Sequence, residues 1–149
     1  MTLTRWFQRA TVSGGLAAVS SAAVAAQCAR AAGATGCAPL NAVTHCLWPD
    51  TAFAQHRPSL RYTGTGAAIH AGSSVFWGLL FEALCGERPS APQAAGAAAA
   101  TAAVAYVVDY HVVPERVTPG FEAHLPRRSF VWVYGALGLG LFGAACLRR

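Results

Sequence analysis

Residues 129–147 run Ser129-Phe130-Val131-Trp132-Val133-Tyr134-Gly135-Ala136-Leu137-Gly138-Leu139-Gly140-Leu141-Phe142-Gly143-Ala144-Ala145-Cys146-Leu147, without one formally charged side chain. A helix needs about 20 mostly apolar residues to cross the hydrocarbon core of a bilayer. This stretch has that length and is bracketed by arginine, with Arg127 and Arg128 before it and Arg148 and Arg149 after it. Guanidinium groups at headgroup level flank spans in this way. Inside the stretch Ala136, Gly140 and Ala144 recur at i, i+4 and i+8. Such small residues let helix backbones approach closely, and close packing drives association where the solvent is lipid. The segment reads as a spanning helix with one face shaped for a neighbour.

Three more windows share its character. Residues 10–29 hold no ionisable side chain except Cys28, residues 62–84 hold only His70 and Glu82 besides Tyr62, and residues 91–113 are free of arginine, with Asp109 and His111 near their end. Proline marks the connections: Pro39, Pro49 and Pro58, then Pro89 and Pro92, then Pro114, Pro119 and Pro126. The expected fold is all-α, a single membrane domain over 1–149 built as a four-helix transmembrane bundle. Within the first loop, 30–61, Asn41, Thr44 and His45 at i, i+3 and i+4 predict a short interfacial or re-entrant helix, with Trp48 at headgroup level. The third loop, 114–128, is rich in Pro, Gly, charge and aromatics and is expected to be ordered over the bundle mouth.

Composition agrees with lipid as the solvent. Of 149 residues 54% are hydrophobic and 11% charged, against about 25% charged in ordinary soluble domains. Intrinsic disorder and a coiled coil are excluded on that ground. The formal net charge is +5 and every basic residue is arginine. These arginines fall in short clusters between apolar windows, so a broad nucleic-acid face is excluded. The expected surroundings are the lipid bilayer of a bacterial inner membrane, with a membrane-protein partner or a homo-oligomer. The five cysteines include no C-x-x-C pair, which removes zinc-ribbon and thioredoxin-like chemistry. Arg5, Arg9 and then Ala23-Val24-Ala25-Ala26 also resemble a cleavable secretory signal. Retention is the expectation, because three helices would leave a less closed bundle.

With four spans both termini share one side with Arg88. Arginines divide five against six between the two sides, so orientation rests on the first helix, preceded by two arginines and followed by one. Cytoplasmic termini are expected. All five histidines, with Asp50, Asp109, Glu115 and Glu122, belong to the opposite, loop-one/loop-three side. The intramembrane polar candidates are His70, Glu82, Asp109 and His111, since ionisable groups in lipid are costly and face the interior. The loop-side candidates are Asn41, His45, Asp50, Arg61, Arg116 and Glu122.

Two kinds of site compete. Ordinary hydrogen bonds could satisfy the polar groups: His70 with Tyr106 or Ser129, Asp109 with Arg61 or Arg116, Glu82 with Arg88, and Asn41 and His45 capping loop backbone. Alternatively His45, His70, His111 and Asp109 converge on a metal ion, hold a haem, or form a proton or ion relay. His70 and Glu82 stand twelve residues apart, about 18 Å along a helix, and cannot share one ion. No H-x-x-x-H, E-x-x-H, G-x-S-x-G, P-loop or dinucleotide pattern occurs. A non-enzymatic accessory or interaction protein without a cofactor is therefore expected. A solute transporter would call for broken helices or an internal repeat.

The segments Ala38-Pro39-Leu40-Asn41-Ala42-Val43-Thr44-His45, Ile69-His70 through Phe76-Trp77 to Glu82, and Asp109-Tyr110 through Pro119-Gly120-Phe121-Glu122 resemble a group of small bacterial four-helix integral membrane proteins. The resemblance covers most of the chain from residue 38 onward. It implies an architecture and carries no activity.

Overall fold

The computed structural model describes residues 2–148. Its regular elements are all helical among the described residues: α1 Leu3–Ala31, α2 Ala38–Val43, α3 Thr65–Cys85, α4 Ala91–Val107 and α5 Ser129–Cys146. A π turn at Leu60–Gly64 leads into α3, and a second at Val108–Val112 continues α4. With these turns, Leu3–Ala31, Leu60–Cys85, Ala91–Val112 and Ser129–Cys146 are long and apolar enough to cross a membrane.

The helix ends follow local chemistry. The first helix starts at Leu3, well before the apolar window at residue 10, because Thr2 caps it by accepting the Arg5 N–H. Arginine is a good helix former, so apolarity stops at Arg9 while the helix does not. Ser59 caps the Leu60 turn through the Tyr62 N–H, and Ser90 caps α4 through the Gln93 N–H with proline in its first turn. Pro114, which cannot continue a helix, follows the π turn that ends at Val112.

The four long helices pack as a ring. α1 lies between α3 and α5, α4 closes the ring against α5 and α3, and the diagonal pair α3 and α5 scarcely meet. Small residues make the seams. A Cβ on Gly78 would stand 2.5 Å from Ala10 O, and one on Gly14 would strike the backbone of Ser74 and Val75. On the other side of α1, a Cβ on Gly140 would lie 2.6 Å from Ala17 Cα, and the Ser20 hydroxyl donates to Ala136 O at 2.8 Å. The Ala136–Gly140–Ala144 stripe is thus the α5 face against α1, as its spacing predicts. α1 runs unbroken through Ala23–Ala26, with Ala25 buried. Val131, Trp132 and Leu139 point outward from α5 and are exposed, an apolar outer surface suited to lipid.

The loops close one end of this ring. α2 is the short helix expected in loop one, and it sits buried on α1 and α3, where Gly66 leaves room for Leu40 O. Loop three is ordered by 3-10 turns at Glu115–Val117 and Phe121–Ala123. Gly120 joins them at φ 74°, in the left-handed region, and a Cβ there would stand 2.9 Å from both Ala42 O and His45 Nδ1. Only glycine fits both demands.

Candidate functional site

Beneath this roof lies a cavity of about 210 Å³. Its walls are drawn from all parts of the loop-side half: Ser21 of α1, His70, Ser74 and Trp77 of α3, Asp109 of the π turn after α4, and Tyr134 of α5. Val43, Cys46, Pro119 and Phe121 from the two loops complete it. An engineered cavity of roughly 150 Å³ accepts benzene, so the space suits a molecule of about one ring with a short arm.

His70 faces Ser21 across the α1–α3 seam. Its Nε2 stands 3.0 Å from Ser21 Oγ and 3.2 Å from Ala18 O. A carbonyl oxygen only accepts, and the single Ser21 hydroxyl proton is directed to Ala17 O at 2.7 Å. In the neutral ring Nε2 therefore carries the proton, and Nδ1 is left as a lone-pair acceptor. The partners of His70 are on α1, not Tyr106 or Ser129 as expected from the sequence. The helix pairing explains this: α1 and α3 touch at glycine, so a histidine in that seam reaches α1 backbone.

Asp109 is placed by aromatic packing. Tyr110 stacks on Phe130 at 4.6 Å and 16°, and Tyr106 meets Tyr134 edge-on at 5.5 Å. This cluster joins the end of α4 to the start of α5 and brings Tyr134 to the carboxyl, to which its hydroxyl donates at 2.6 Å on Oδ2. That length is characteristic of an O–H donor on a carboxylate. The expected ion pair with Arg61 or Arg116 does not form. Arg61 lies 4.8 Å over the Trp48 ring, and Arg116 Nε donates to Cys46 O. Both are exposed on the loop surface, where water competes for a guanidinium. His111, two residues on, points outward, exposed and edge-on to Tyr106 at 5.5 Å.

The remaining loop-side candidates hold the roof. Asn41, fully buried, donates from Nδ2 to Gln55 O and Arg57 O and accepts the Thr63 hydroxyl on Oδ1. His45 sets Nδ1 against Ala42 O and Nε2 against Glu115 O, each at 2.9 Å, so it ties loop one to loop three. Glu122 accepts the Thr118 hydroxyl, and Asp50 is exposed.

His45, His70, His111 and Asp109 are not brought to one point. Among the described residues no group of three or more His, Cys, Asp or Glu side chains could hold a metal ion. Both nitrogens of His45 stand 2.9 Å from carbonyl oxygens, which leaves no space for a cation at either. Of the four, only His70 and Asp109 share the cavity.

Glu82 belongs to the other end of the ring. Its side chain is 0% exposed and pairs with Arg9 Nε at 3.1 Å and with Arg148 Nη1. Arg9 also donates to Gly86 O and Glu87 O, just beyond the end of α3. Arg88 is exposed and the carboxylate goes to the two terminal-helix arginines instead, because the ring puts α1 and α5 on that side of α3.

Sequence reasoning passed over Ser21, Trp77 and Tyr134. Trp77 is 5% exposed, and its Nε1–H has no acceptor among the described residues. The available signal was the set of aromatics Tyr106, Tyr110, Phe130 and Tyr134, all at loop-side helix ends. Comparison with protein-family models, with curated proteins and with solved structures finds no match.

Proposed function

We propose that this chain is an integral multi-pass protein of a bacterial inner membrane, with cytoplasmic termini, that acts without catalysing a reaction. Its role is that of an accessory protein whose loop-side pocket receives a small molecule. One observation carries this: His70 and Asp109, from different helices, border a single cavity roofed by two ordered loops. A mostly apolar cavity with a few convergent polar groups is the usual form of a ligand site. The buried, unpartnered indole N–H of Trp77 in the same wall supports it, since buried donors are nearly always satisfied. The proposed orientation rests on Arg5 and Arg9 ahead of the first apolar window. Among the alternatives, a proton or ion relay would retain His70 and Asp109 but not His45 and His111.

The test is purification in mild detergent, followed by native mass spectrometry, metal analysis and xenon NMR of the full chain. Expected are a saturable xenon site that Ser73→Phe, at the cavity wall, removes, and no stoichiometric metal. Stoichiometric Zn, Fe or Cu that is lost in His70→Ala, or no saturable site at all, would overturn the proposal.

A further inference from the structure

The two acids of the interior are treated very differently. Glu82 is met by two guanidinium groups. Asp109 is met by one neutral phenol, and among the described residues no arginine lines its cavity. A carboxylate withdrawn from water is stable only when it is paired or neutralised. Asp109 is half-buried, where Glu82 is fully buried, and it borders the cavity instead of a countercharge.

The rest of the wall has the complementary character. In the neutral ring, His70 Nδ1 is a second acceptor, for the reasons of tautomer given above. Trp77, Phe121 and Tyr134 add aromatic rings, and ring faces attract cations within about 6 Å. A hard cation such as Ca2+ or Mg2+ would need about six oxygen ligands, which this mostly apolar wall does not supply, and among the described residues no three His, Cys, Asp or Glu side chains converge for a softer metal. A carboxylic acid ligand would place like charge against Asp109.

Resting on the pocket proposed above, we infer that the cavity binds a small organic cation: a protonated amine on a ring-sized apolar body. The ammonium is shared between Asp109 and His70 Nδ1, and the body, an aromatic ring, lies between Phe121 and Tyr134 with its face toward the Trp77 N–H.

The test uses the full chain in nanodiscs at pH 7.5 and three probes of equal size, benzylammonium, benzyl alcohol and benzoate. Binding is read by calorimetry against empty nanodiscs. Benzylammonium is expected to bind at least tenfold tighter than benzyl alcohol, with benzoate weakest. Asp109→Asn should bring the ammonium and the alcohol to within about twofold of each other. Should that variant not fold, the order of the three probes on the unmodified protein decides alone. Equal binding of ammonium and alcohol, or a preference that survives Asp109→Asn, overturns the inference and leaves the pocket standing. Binding of none of the three overturns both.

Discussion

Removing Arg9 and Arg148 together should cost more than the sum of removing each. With either one replaced by methionine, Glu82 keeps a single guanidinium and the site stays neutral. The two arginine side chains are 18% and 21% exposed, so each partly wet pair contributes about 1 kcal/mol at most. Arg9→Met adds a little more, because Gly86 O and Glu87 O also lose their donor. The singles therefore sum to about 2 kcal/mol. The double variant instead leaves a fully buried carboxylate without a countercharge, for which about 3–5 kcal/mol is typical. The excess of about 1–3 kcal/mol is the coupling through Glu82. Adding Glu82→Gln to the double variant removes the lone charge and should restore most of that excess. Tryptophan fluorescence through reversible unfolding in mixed micelles reads the four variants against the unmodified protein. If the double variant equals the sum of the singles and the added Gln restores nothing, Glu82 is not held by these two arginines.

Two further outcomes concern the roof. Asn41→Ala removes two donors and one acceptor that pin the 55–63 segment, so about 1–3 kcal/mol of local stability should go, and trypsin should cut after Arg61 faster while α1 stays protected. His124, in loop three, has its pKa lowered by burial and then by the neighbouring His56, whose ring is 5.5 Å away. The folded state therefore holds fewer protons than the unfolded one: its contribution is present above pH 6.5 and is lost as pH falls below 6.5 through the folded value. Amide exchange across residues 115–125 should accelerate on acidification, and His124→Gln should flatten that response.

The four long helices were legible because lipid-spanning length and arginine punctuation are local properties. The seam at Ala136, Gly140 and Ala144 was legible for the same reason, as a spacing within one helix. Through-space pairing was not. Glu82 is six residues from Arg88 and 66 from Arg148, yet it pairs with the distant one, and nothing local encodes the ring order that causes this. His70 could be singled out as an interior polar group, while its partner Ser21 is one serine in a run of small residues. Asp109 and His111 were separable because alternate residues diverge on a helix. That Asp109 is the one facing inward depends on the packing of Tyr134 from the next helix.

The ring order also fixes a timetable. Of the two principal neighbours of α1, α3 is made soon after it, whereas α5 follows only after α3 and α4. The hydrogen bond from Ser20 to Ala136 spans 116 positions of chain. Until α5 has been made, the Ala17–Ser20 flank of α1 lacks the surface it packs on in the folded chain. A nascent chain stalled before residue 129 would present that flank to whatever insertase, chaperone or quality-control protease patrols the membrane.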